Sequence, residues 1–200
     1  MRRLLLLTLL CTLSLSATPP KLTIICVVDQ LAEHLFTRHQ AFFSGGLRHL
    51  LSKGYVYSNA YHPHALPATA TGHAALSTGT HASQHGLIAN SWITDGRELK
   101  ACDSDHGGHQ VFNPDGTYKK QKSADAIMAQ TLASSFAKAA NGKTISLSLK
   151  SRAAIPLSGP DGLPVWFDSK TGQFTSSKAF TPQLPPFVNA INTHLRTTLH

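Results

Sequence analysis

The run Pro67-Ala68-Thr69-Ala70-Thr71-Gly72-His73, followed further on by His85-Gly86-Leu87-Ile88-Ala89-Asn90, holds residue types suited to binding an anion and reacting with it. The pattern predicts a helix from about Ala70 to Ser77, so that Thr69 stands at its start. A hydroxyl in that place lies beside the backbone N–H groups of the first turn, which have no partner within the helix. They attract an anion through hydrogen bonds and the helix dipole. The small residues Ala70, Gly72, Ala74 and Ala75 let a ligand come close to the turn. A threonine hydroxyl is a poor nucleophile at neutral pH, so chemistry at Thr69 needs a base or a metal ion. A plain helix cap suits the same position, and the local pattern leaves both readings open.

Two other places carry charge where a site could use it. The apolar run Leu22-Thr23-Ile24-Ile25-Cys26-Val27-Val28 is expected to form a strand buried on both faces, ending at Asp29. Ligands of open α/β sheets bind beyond the carboxyl ends of strands, which makes Asp29 a candidate site residue, although a cap or turn role fits an Asp there too. Further on, Lys150 and Arg152 follow an alternating segment, 143–149, expected to be a strand. If the segment stays extended through them, residues two apart face the same side and both cations point into one pocket.

The elements that would position these groups alternate. Helices are expected over 31–43, from Leu47 to Gly54, and over 124–140, with a further strand at Tyr55-Val56-Tyr57. Strands alternating with helices imply an α/β architecture with a mainly parallel sheet flanked by helices. With 200 residues, 42% of them hydrophobic and 14% charged, the chain has a globular composition. The net charge of +8 is scattered, without the clustered cations and aromatic platforms that nucleic-acid binding needs.

Arg2 and Arg3, the apolar stretch Leu4 to Leu15 and the small residues Ser14 and Ser16 form a secretory leader over residues 1–16. The stretch is shorter than the roughly 20 residues a bilayer span needs, so no stable membrane span is expected after cleavage. Export to the periplasm or the cell exterior follows. Cys26 and Cys102 remain in the mature chain; Cys26 reads as a small buried hydrophobe, and no disulfide is predicted.

Taken in order, Asp29, Gly45-Gly46-Leu47 with Leu50-Leu51 and Gly54, Asn59-Ala60 and the stretch from Thr69 to Asn90 resemble the type I phosphodiesterase/nucleotide pyrophosphatase and alkaline phosphatase family. The resemblance runs from about 22 to 168, giving a catalytic-domain portion over 17–168 and a truncated or divergent tail over 169–200. It implies an alkaline-phosphatase-like α/β fold, here incomplete at the C-terminus. It further implies that Thr69 is the nucleophile and a metal ligand, that Asn90 contacts the phosphoryl oxygen, and that Asp29 is a zinc-binding carboxylate. Ser148-Leu149-Lys150-Ser151-Arg152 resembles the segment in which phosphate-irrepressible alkaline phosphatases carry a Lys and an Arg two residues apart. Such a pair binds the non-bridging oxygens of a monoester, which tilts the expectation from diesters toward monoesters.

The activity implied is hydrolysis of small phosphate esters with two zinc ions and a phospho-threonine intermediate. A nucleotide pyrophosphatase or phosphodiesterase is the alternative on the same scaffold, and a noncatalytic anion-binding fragment is a third. Most of the family's zinc ligands would fall beyond position 200. His62, His64, His81, His85, His106 and His109 lie in loops without the spacing of a zinc motif, and His73 reads as a structural hydrogen-bonding residue. Asp103 and Asp105 read as caps or turn formers. The 200-residue chain is therefore expected to bind zinc weakly and to turn over little substrate.

Overall fold

A computed structural model of the chain describes residues 20–62, 64–113 and 120–198, and the leader expected over residues 1–16 lies outside them. The chain divides into two compact units, 1–56 and 57–200.

The first unit contains helix α1 (Glu33–His39), a 3-10 turn (Gln40–Phe42) and helix α2 (Gly45–Lys53). The apolar run 22–28 departs from expectation. It forms no ladder, Leu22 and Ile24 are each 74% exposed, and the first unit has no strand among its described residues. A β-branched run only makes residues fit for a two-sided strand, and the ladder itself needs neighbours on which to place N–H and C=O groups. Asp29 accordingly sits in a turn with Gln30 (φ 62°) and not at a strand end. Tyr55–Tyr57 likewise forms no strand.

The second unit begins with helices α3 (Thr69–Thr78) and α4 (Ala82–His85), followed by a hairpin of β1 (Ser91–Thr94) and β2 (Arg97–Lys100). Asp95 and Gly96 join the two strands with φ of 52° and 73°, the left-handed pair that a two-residue hairpin turn requires. Helix α5 spans only Leu132–Ala140, not 124–140, because Thr131 stops it from starting earlier: it is extended, and its Oγ1 accepts the Ser134 N–H as N-cap.

Strand β3 (Ile145–Ser148), helix α6 (Ser151–Ser158) and strand β4 (Leu163–Asp168) form a βαβ unit with parallel strands, Ile145 opposite Leu163 and Ser148 opposite Trp166. Strand β5 (Gln173–Thr175) adds antiparallel to β4, and helix α7 (Pro186–Thr198) packs on β5. Asn192 fixes that contact by bonding both the N–H and the C=O of Phe174, at 2.7 and 2.8 Å. Helices α3 and α6 meet through Ala70, Ala74, Ala154 and Ile155, which share one buried cluster with Leu87, Cys102 and Trp166. Alanines at this seam allow the two helices to approach closely. Among the described residues no helix is long and apolar enough to cross a membrane.

Candidate active site

Thr69 is the first residue of α3 and is half-buried. The residue before it, Ala68, is extended and has no side chain with which to cap the helix. Asn90 supplies the missing acceptor: its Oδ1 takes the Ala70 N–H at 3.0 Å. Thr69 and Asn90, placed together by the family resemblance, thus meet at one helix start. This bond also corrects the expectation of open first-turn donors, because the Ala70 N–H is already occupied. Asn90 is itself fixed by the hairpin, since its carbonyl accepts the Ala101 N–H at 3.0 Å where β2 ends. His73 is buried and its Nδ1 bonds the Thr69 carbonyl at 2.7 Å, the structural role read from the sequence.

Lys150 and Arg152 lie elsewhere in the chain but at the neighbouring helix. Lys150 is the extended N-cap residue of α6 (φ −133°, ψ 135°), and Arg152 is in its first turn. The extended segment expected here ends too early, and the same-side argument for the pair fails with it. Their location is instead set by the βαβ unit. Both stand beyond the carboxyl end of β3 at the amino end of α6, the side of a parallel sheet on which ligands bind. Helix α6 packs on α3, and Ser146 of β3 bonds the Ala154 carbonyl of α6 at 2.5 Å. Arg152 is also close enough for its charge to act on Cys102 in the shared core.

Asp29 belongs to the first unit. Among the described residues no group of three or more His, Cys, Asp or Glu side chains could hold a metal ion. Among the described residues the candidates expected from the sequence, Asp29 and Thr69, are fewer than the roughly four ligands a zinc ion takes. Asp103 and Asp105 act as ion-pair partners, Asp103 with Lys122 and Asp105 with Arg97 at 3.2 Å.

Solved structures place this arrangement in a known fold. Alkaline phosphatase PafA superposes with a TM-score of 0.71 at 28% identity, over 80% of this chain and 31% of that one. A PafA variant with one Thr changed to Ser and one Asn, one Lys and one Arg changed to Ala superposes with a TM-score of 0.75 at 27% identity, over 84% of this chain and 33% of that one. The fold is thus that of the alkaline phosphatases. The model of the type I phosphodiesterase/nucleotide pyrophosphatase family matches residues 23–184, and the chain belongs to that family. Alkaline phosphatase PhoK of a Sphingomonas species is 32% identical over 184 residues, which are 90% of this chain and 32% of that protein. PafA of Elizabethkingia meningoseptica is 33% identical, over 86% of this chain and 32% of that protein. The chain spans about a third of the length of these curated relatives.

Proposed function

We propose that this chain carries the phosphate-facing residues of an exported, zinc-dependent phosphate monoesterase that works through a phospho-threonine at Thr69. The observation that carries the reading is the packing of α6, with Lys150 and Arg152 at its start, against α3, with Thr69 at its start. A second observation supports it. The Thr and Asn replaced in the PafA variant are 21 residues apart and its Lys and Arg two apart, the spacings of Thr69 to Asn90 and of Lys150 to Arg152.

In this reading Thr69 Oγ1 attacks phosphorus and the bond to the leaving alkoxide breaks, which leaves the phosphoryl group on Thr69. Water then attacks phosphorus, releasing inorganic phosphate and restoring the hydroxyl. Asn90, Lys150 and Arg152 donate to the non-bridging oxygens and offset the charge that moves onto them. The resemblance assigns Asp29 and Thr69 as residues that would hold zinc, and a bound zinc would supply the Lewis acidity that a threonine nucleophile requires. A monoester presents one more charged oxygen than a diester, which gives a Lys and Arg pair its use. The family's name keeps nucleotide pyrophosphates and phosphodiesters as the second substrate class.

Calorimetry of inorganic phosphate binding to the chain, with and without zinc, tests the proposal. Zinc-dependent binding that weakens in Thr69→Ala supports it, and binding indifferent to zinc favours a noncatalytic anion-binding role. Incubation with p-nitrophenyl phosphate and zinc, followed by acid quench and peptide mass spectrometry, is expected to show slow phosphorylation at Thr69. Faster hydrolysis of bis-p-nitrophenyl phosphate than of the monoester would overturn the monoesterase assignment.

A further inference from the structure

The peptide between Thr69 and Ala70 is held by a side chain at each of its polar atoms. Its carbonyl receives His73 Nδ1 at 2.7 Å and its N–H reaches Asn90 Oδ1 at 3.0 Å. Neither bond is one that a helix makes by itself. The Thr69 carbonyl is the regular acceptor of the backbone N–H four residues on, and it takes the imidazole in addition. The Ala70 N–H is one of the four donors that a helix start leaves open, and it is met from 20 residues away. A carbonyl can only accept, so His73 carries its proton on Nδ1 in this bond.

We infer that Asn90 and His73 are positioning residues that clamp the Thr69–Ala70 peptide and so aim the Thr69 hydroxyl. Asn90 then has two tasks in one side chain. Its Oδ1 caps α3, and this leaves Nδ2, a donor of the right polarity for an anion, as the group it offers to phosphate. The aim of the hydroxyl rests on the reading of Thr69 as nucleophile, whereas the clamp does not.

Amide hydrogen exchange at Ala70, followed by NMR on the isotope-labelled full chain, tests the clamp, with phosphate calorimetry in zinc run beside it. Asn90→Ala is expected to speed Ala70 exchange about fivefold, the usual effect of losing a cap. Asn90→Asp keeps an acceptor for the Ala70 N–H but turns a carboxylate oxygen toward the anion, so it should retain near wild-type protection while losing phosphate affinity. His73→Phe is expected to speed Ala70 exchange, and His73→Asn, whose Nδ2 can stand in for Nδ1, to restore it.

Wild-type exchange at Ala70 in Asn90→Ala overturns the inference, as does loss of protection in a folded Asn90→Asp. If Asn90→Ala does not fold, the Asn90→Asp result decides alone. A wild-type chain that protects Ala70 through Asn90 yet binds no phosphate sinks the proposed function and leaves the clamp standing.

Discussion

Gly159 ends helix α6 directly against the Thr131 hydroxyl that caps α5: a Cβ at Gly159 would stand 2.3 Å from Thr131 Oγ1. Its backbone, with φ 64° and ψ −170°, lies in a region that only glycine occupies comfortably. Gly159→Ala therefore combines backbone strain with a clash against a fully buried, hydrogen-bonded side chain. The expected loss is about 2 to 4 kcal/mol, a drop of roughly 5 to 15 °C in the unfolding midpoint. Thermal unfolding followed by circular dichroism measures it, and an unchanged midpoint would show that the α5–α6 junction yields easily.

How far such features can be read from sequence depends on whether they are local. Helix α3 shows itself through its small residues and the stop at Gly79, and β3 through the alternation of Ile145 and Leu147 with serines. The β1–β2 hairpin passes unread, although Asp95-Gly96 is a strong turn signal. The run 22–28 misleads because its composition specifies a strand's environment and not its partners. Lys150 and Arg152 are found by type and spacing, but their orientation is misjudged, because nothing in the period-two pattern marks where β3 yields to α6. The Asn90 to Ala70 bond depends on the hairpin that fixes Asn90 and is not visible in any window of sequence.

Two groups weaken the fold in acid, in separate pH ranges. His85 is fully buried, its Nδ1 accepts the Leu87 N–H at 3.2 Å, and burial holds its pKa below 6.5. The unfolded chain then takes up a proton before the folded one does. The stability due to neutral His85 is complete above pH 6.5 and is lost as pH falls toward its folded pKa, by at most about 1.4 kcal/mol per pH unit. For Asp125, burial pushes its pKa up, but hydrogen bonds from Ser123 and Ser104 and the charges of His109 and His106 outweigh it and hold it below 3.8. Its contribution fades only below pH 3.8 and stays well under about 1 kcal/mol, because the side chain is 48% exposed. Urea unfolding between pH 7 and 5 should show a slope that His85→Asn flattens, since the Asn can accept from Leu87 without titrating. A slope unchanged in that variant would assign the effect elsewhere.

The two cysteines among the described residues, Cys26 and Cys102, should differ sharply in reactivity. Burial pushes the Cys102 thiol up to about 12, the charge of Asp103 adds to this, and Lys122 and Arg152 offset only part of it. Cys26 is exposed. At pH 8 iodoacetamide is expected to label Cys26 in the native chain and Cys102 only in denaturant, because the thiolate is the reactive form. Peptide mapping distinguishes the sites. Rapid native labelling of Cys102 would mean that the core joining α3 to α6 opens readily.

Lys150 and Arg152 are both exposed, which separates their proposed role in binding from any role in folding. Substituting either should leave the unfolding midpoint almost unchanged, as is usual for surface positions. A charge-assisted hydrogen bond to phosphate is worth about 1.5 to 3 kcal/mol, so Lys150→Ala and Arg152→Ala should each lower phosphate affinity roughly 10- to 100-fold. Added salt should narrow the difference, because exposed charges are screened over about 10 Å at 0.1 M. Arg152→Lys keeps the charge but loses the planar fork that grips two oxygens at once, and it should recover only part of the affinity. Calorimetry at two salt concentrations gives all of these values. If both alanine variants bind phosphate as wild type does, the cations at the start of α6 are a solvated surface pair, and the preference for monoesters loses its physical basis.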